Sequence, residues 1–179
     1  FQRMVEWGLL ARAEYTLLDE QAENIRSARE GMRAWAKRQR LGCNDAGEEL
    51  VFVGQGSEFR LEPVAAEMGA FLRASPGRRW DLIAAHAFLD LLDVPAALPQ
   101  LKSALRPGGL MYLTVNFDGL TAFEPALEQD EQIIALYHRT MDERVTAGRP
   151  AGDSRTGRKM FTWLRQAGLR ILQAGSSDW

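Results

Sequence analysis

The sequence predicts an α/β fold: a doubly wound, mostly parallel sheet with helices on both faces. Three observations lead there. Residues 81–85 (Asp81-Leu82-Ile83-Ala84-Ala85) and 110–115 (Leu110-Met111-Tyr112-Leu113-Thr114-Val115) are short apolar runs, and residues 95–106 between them carry apolar side chains at helical spacing, which reads as a strand, helix, strand crossover. Both runs are apolar on successive positions, as strands of a parallel sheet covered on both faces are. Upstream, residues 13–19 read as a strand ending in an acid, Asp19, with a long helical pattern over residues 21–40 directly after it. Pro107-Gly108-Gly109 is expected to end the crossover helix, because proline cannot continue it and glycine tolerates a left-handed stop. Ligands of such sheets gather at the carboxyl ends of strands. The tips to watch are therefore His86, Ala87 and Phe88 after the first run, and Asn116, Phe117 and Asp118 after the second.

One domain accommodates all 179 residues, and a composition of 46% hydrophobic and 26% charged residues supplies a core and excludes general disorder. A formal net charge of -2 gives no general grip on nucleic acid or an anionic membrane, so neither is expected as a partner and a small neutral or polar molecule fits better. A homodimer stays open. Cys43 is the single cysteine, so no internal disulfide forms. No Cys/His cluster has metal-ligand spacing, no metal is expected, and a reducing cytoplasm is the expected compartment.

In chain order, Met4, Val5, Leu9 and Leu10 recur at helical spacing at the start. The helix over 21–40 carries Arg26, Arg29, Arg33, Lys37, Arg38 and Arg40 among Glu23 and Glu30, which is expected to be a solvated face. Residues 41–49 are a loop by composition. Residues 50–53 and 58–64 read as strands joined by Gly54-Gln55-Gly56-Ser57, and Pro63 places the second at or near a sheet edge. Beyond Asp118 an irregular stretch leads to a helix over 128–147, stopped by Gly148; the segment 119–150 has the placing of a lid or substrate-side insertion. Asp153 or Ser154 is expected to cap a last helix that packs through Phe161 and Leu164, ends at Gly168, and leads to a strand over 169–172. Arg155, Arg158 and Lys159 look like a phosphate cradle and are expected to face solvent.

The order Asp81-Leu82-Ile83, then Phe88-Leu89-Asp90-Leu91-Leu92-Asp93, then Leu101, Leu105 and Arg106-Pro107-Gly108-Gly109-Leu110 resembles the fourth and fifth strands of class I S-adenosylmethionine-dependent methyltransferases. The later helix, Ala167-Gly168-Leu169 and the run after it are similar to the late part of the small-molecule enzymes of that family. The resemblance implies a Rossmann-like sheet, S-adenosylmethionine as cofactor, and methyl transfer to a small-molecule acceptor. It implies that Asp19 and Glu20 stand where the ribose hydroxyls are held, Asp19 being equally a helix cap. Glu67 and Met68 fall where an acid grips the adenine amino group and a neighbour packs on the ring; a capping acid and a core methionine are the alternatives. His86, Ala87 and Phe88 fall where the methionine end of the cofactor and the acceptor meet, His86 acting as general base or as a hydrogen-bonded wall. Asn116, Phe117, Tyr137 and His138 are placed toward the acceptor, a packed tyrosine and a surface histidine being the alternative for the last two.

One motif of the family is missing from the 179 residues: the glycine-rich loop about 20 residues before the acid, a distance that runs off the start from Asp19. A sheet lacking its central strand would leave buried backbone groups unpaired at about 1–3 kcal/mol each, so the chain is expected to lack residues at both ends. The rival reading is a non-catalytic binding or scaffold protein of this fold. A short-chain dehydrogenase is disfavoured because Tyr15, Tyr112 and Tyr137 are followed four positions later by Asp19, Asn116 and Met141 instead of lysine. The Asn/Asp-Pro-Pro-aromatic motif of nucleic-acid amino-methylating enzymes is replaced by His86-Ala87-Phe88-Leu89.

Overall fold

A computed structural model describes residues 1–146 and 148–176. The protein is a mixed α/β chain that divides into two compact units, Phe1–Ser75 and a second from Pro76 onward.

The first unit is built on strand β1 (Arg12–Asp19), helix α2 (Ala22–Arg38), and strands β2 (Gly42–Ala46), β3 (Glu49–Gly54) and β4 (Ser57–Ala65), preceded by a short helix α1 (Gln2–Glu6) and followed by α3 (Met68–Ala74). Strand order is β1-β4-β3-β2. β1 runs parallel to β4, from Arg12 opposite Glu58 to Asp19 opposite Ala65, whereas β3 is antiparallel to both β4 and β2. The main sheet is thus mixed. The segment 41–49, expected as a loop, contains β2, because Gly42 to Ala46 pairs with Val53 to Glu49 across a tight turn at Gly47, whose φ is +67°.

The core lies on one face of this sheet. α2 presents Ile25, Met32, Trp35 and Ala36 as its buried stripe, and Met32, Trp35 and Ala36 pack on Leu50, Phe52, Phe59 and Leu61, which recur every second residue along β3 and β4. Phe1 stacks on Tyr15 at 4.9 Å and meets Trp35 and Phe59 edge-on. The opposite face carries Thr16 donating to Glu62 at 3.0 Å, Arg60 paired with Glu58, and an exposed Val53. Helices on both faces were expected here; the alternating burial of β3 and β4 belongs to strands with one apolar face instead. The basic stripe of α2 is also more than a solvated face: Arg33 reaches Asp45 at 2.7 Å and Arg29 lies 3.8 Å from the same carboxylate, tying α2 to β2.

Pro63 was expected at or near a sheet edge; β4 is the second strand of the sheet, inside the edge strand β1. Its antiparallel partner β3 stops opposite Leu61, however, so Pro63 has a strand neighbour on one side only, opposite Leu17 of β1. A missing amide is tolerated at such a place.

The second unit contains β5 (Trp80–His86), a 3-10 turn (Leu89–Leu91), α4 (Val94–Ala104), β6 (Leu105–Thr114), α5 (Asp130–Asp142), a two-residue hairpin of β7 (Val145–Thr146) and β8 (Arg149–Pro150), and α6 (Thr156–Gln166). β5 and β6 are parallel and, among the described residues, pair only with each other, which is the predicted crossover. α4 buries Val94, Ala97, Leu98, Leu101 and Ala104, and Asp93 caps it through the amide of Ala96. Leu82, Leu110 and Tyr112 share the other face and stay exposed, Tyr112 by 59%, so this pair also lacks helices on both faces.

Three boundaries in this unit differ from expectation. Pro107-Gly108-Gly109 lies inside β6: the helix has already ended at Ala104, because Pro107 forces Arg106 out of the helical region and Leu105 is extended opposite Trp80. α5 ends at Asp142, since the β-branched Val145 and Thr146 form the hairpin; the expected end at Ala147 lies outside the described residues. Residues 169–172 find no strand partner among the described residues, and α6 is buried through Thr156 and Met160 while Phe161 is 45% exposed.

Candidate functional site

The predicted residues fall into two groups, one per unit, each at the carboxyl ends of a parallel strand pair.

In the first unit, the register brings Asp19 opposite Ala65, and the amide of Ala66 donates to the Asp19 carbonyl at 2.9 Å. Glu67 follows immediately, so both acids stand at one end of the β1–β4 pair. Asp19 Oδ1 accepts from the Gln21 amide at 2.8 Å, and the Asn24 side-chain amide donates to both carboxylate oxygens at 3.2 Å. The helix cap itself is Gln21, with no side-chain capping bond; Asp19 braces the turn into α2 from outside the helix. Oδ2 accepts only from Asn24 among the described residues and keeps room for a further donor, such as a hydroxyl. Glu20 is exposed and receives a long 3.5 Å contact from Gln21. Glu67 is the N-cap of α3: Oε1 accepts from the Gly69 amide and Oε2 from the Ala70 amide, both at 2.7 Å. Met68 is half-buried as the first residue of that helix.

In the second unit, the Ala87 amide donates to the Thr114 carbonyl at 3.0 Å, closing the tips of β5 and β6. Ala87 takes a φ of +49°, a left-handed conformation an L-residue adopts reluctantly. His86 is exposed, its Nδ1 lies 3.3 Å from Thr114 Oγ1, and its ring meets Tyr112 edge-on at 5.0 Å. Phe88 is half-buried and Leu89 fully buried. After β6, Asn116 is exposed, while the Phe117 ring meets Tyr137 at 5.8 Å and His138 at 5.4 Å, both edge-on. Three of the four residues placed toward an acceptor therefore form one aromatic cluster.

That cluster adjoins a feature the sequence reading did not identify. Asp142, on the same helix as His138, accepts from the Ser154 amide at 2.7 Å through Oδ1 and from the Ser154 hydroxyl at 3.2 Å through Oδ2. The Ser154 amide above all, against the opposing effect of burial, and then its hydroxyl with Lys159 and His138, hold the Asp142 carboxyl below its ordinary value. Asp153 or Ser154 was expected to cap α6; Asp153 instead accepts from the Arg155 amide and pairs with Lys159, and Ser154 turns to Asp142. No local pattern announces this, because the Asp142–Ser154 pair spans twelve residues and a hairpin.

Among the described residues no group of three or more His, Cys, Asp or Glu side chains is disposed to hold a metal, and no helix is long and apolar enough to cross a membrane. No family model matches the chain, and neither a curated protein nor a solved structure matches it.

Proposed function

We propose that this protein is an S-adenosylmethionine-dependent methyltransferase of Rossmann-like build, acting on a small-molecule acceptor in the cytoplasm. The observation that carries the reading is the pairing of strands: β1 with β4 and β5 with β6, each parallel and each ending in candidate residues at the carboxyl tips.

The cofactor supplies an activated sulfonium methyl, so the chain has mainly to align the reactants and exclude water. Asp19 fits the ribose role because its position is fixed by Gln21 and Asn24 while Oδ2 retains acceptor capacity. Glu67 caps α3 through both carboxylate oxygens, with the Arg73 guanidinium 3.8 Å from Oε2, and the adenine role remains what the resemblance implies for it. His86, anchored at Thr114, is the candidate base for an acceptor that must lose a proton, and Phe117 with Tyr137 is the candidate aromatic contact for that acceptor.

Isothermal titration of the full chain with S-adenosylmethionine and S-adenosylhomocysteine tests the reading. Saturable binding is expected, weakened about tenfold or more by Asp19→Ala, equivalent to about 1.4 kcal/mol. Asp19→Asn keeps an acceptor for the Gln21 amide and separates ligand loss from loss of the turn. A folded chain that binds neither ligand refutes the proposal in favour of a non-catalytic binding or scaffold protein.

A further inference from the structure

At the tips of β5 and β6 one hydroxyl serves two neighbours. The Ala87 amide donates to the Thr114 carbonyl at 3.0 Å and, in a three-centre bond, to Thr114 Oγ1 at 3.3 Å. The same Oγ1 lies 3.3 Å from His86 Nδ1. The Tyr112 ring stands edge-on to the imidazole, with centroids 5.0 Å apart.

The turn that makes this possible is strained. Ala87 holds a φ of +49°, and such a conformation persists where its surroundings over-determine it; here both oxygens of Thr114 accept from its amide. His86 is exposed, and its Nε2 has no hydrogen-bond partner among the described residues. A neutral imidazole carries one proton, and the bond made by one ring nitrogen decides the state of the other. Thr114 Oγ1 is placed to decide it.

We propose that Thr114 is a positioning residue for His86: its hydroxyl oxygen accepts from Nδ1–H, which leaves Nε2 as the bare nitrogen that takes the proton of a methyl acceptor. A hydroxyl has two acceptor positions and one proton. The Ala87 amide fills one acceptor position and Nδ1–H the other. When Nε2 takes up a proton, the imidazolium still carries Nδ1–H, so the contact to Thr114 stands unchanged and nothing has to turn, which is the advantage of a preorganised site. In the reverse arrangement, with the hydroxyl donating to a bare Nδ1, Nε2 holds the proton and is a donor instead of a base. The inference rests on the methyltransferase reading only in calling Nε2 the base; the tautomer is independent of it.

The experiment is nitrogen-15 NMR of the imidazoles in the full chain, without S-adenosylmethionine, at a pH where His86 is neutral. His86 and His138 are the two histidines, so His86→Gln assigns the signals, and the coupling of each nitrogen to the ring protons tells Nδ1 from Nε2. Nδ1–H is expected as the predominant tautomer of His86. That bias should be lost in Thr114→Val, which keeps the shape and the carbonyl but not the hydroxyl, and regained in Thr114→Ser. The Ala87 amide resonance reports the bracing of the turn separately. An Nε2-protonated His86 in the native chain, or the tautomer mixture of the urea-unfolded chain, overturns the proposal. So does a Thr114→Val variant that moves the Ala87 resonance and leaves the tautomer as it was, because Thr114 then only braces the turn. An Nδ1–H tautomer in a chain that binds no S-adenosylmethionine would sink the enzyme reading and leave the positioning role standing; binding with Nε2–H would sink the positioning role alone.

Discussion

Replacing Glu67 separates its structural role from any role toward a ligand. Its carboxylate accepts two α3 amides at 2.7 Å, and α3 has seven residues, of which Gly69 alone is buried. A helix this short draws little stability from its own propagation, so the cap matters. Glu67→Ala leaves two amides to water and costs about 1–2 kcal/mol, the upper part of the range for capping residues. With a urea slope of about 1–2 kcal/mol per molar for a small unit, the midpoint falls by about 1 M. Glu67→Asp, a preferred capping residue, restores most of this, and Glu67→Gln, with one acceptor oxygen, lies between. Trp35 is 1% exposed, so its fluorescence reports unfolding of the unit that contains α3. An Ala variant that melts at the wild-type urea concentration would refute the capping account. The Asp variant is informative for function as well: its stability returns while its shorter reach lowers affinity for an adenine amine, if Glu67 serves both.

Other outcomes follow from the same contacts. Trp35→Ala should cost about 3–5 kcal/mol by emptying the core, and Trp35→Phe a smaller amount that includes the indole hydrogen bond to Glu6 at 2.8 Å; chemical denaturation checks both. Arg33→Ala should cost no more than about 1 kcal/mol, an effect that shrinks as salt is raised, because the pair with Asp45 is exposed. The Asp142 carboxyl titrates below its ordinary value. Its stabilisation is therefore complete above the unfolded value of about 3.9 and is lost as pH falls through the lower folded value; the Ser154 amide shift should follow that step, and Asp142→Asn should abolish it. Burial pushes the Cys43 thiol up, with Asp45 acting in the same sense and Arg33 and Arg29 opposing, so labelling by a thiol reagent at neutral pH should be slower in the folded chain than in urea.

What could be read from residues alone was local. The crossover of β5, α4 and β6 and the strand and helix after Leu10 are written in apolar spacing, and they appear where that spacing puts them. Sheet order is set by contacts far apart in sequence, which is why β2 went unread: Gly42, Asn44 and Asp45 are poor strand residues, and pairing with β3 overrides their preference. Likewise Asp19, Glu67 and Phe117 stand at or just beyond strand tips, where they were expected because tips are predictable once strands are, whereas Asp142 and Ser154 meet across the β7–β8 hairpin.

The bulge in β6 has a bearing on parity. Between Trp80 opposite Leu105 and Leu82 opposite Leu110, two steps along β5 correspond to five along β6. The surplus is odd. Arg106 pins the detour by bonding both oxygens of Asp81, at 3.0 and 2.8 Å, and at Gly109 a Cβ would sit 2.9 Å from the Arg106 carbonyl. Strict alternation would put Leu105 and Leu110, five positions apart, on opposite faces, whereas their partners Trp80 and Leu82, two apart, share one. The detour absorbs that mismatch, Gly108 taking a φ of +79° within it. An irregular turn at one end of the strand thus lets regular pairing resume and bring Thr114 beside His86 at the other.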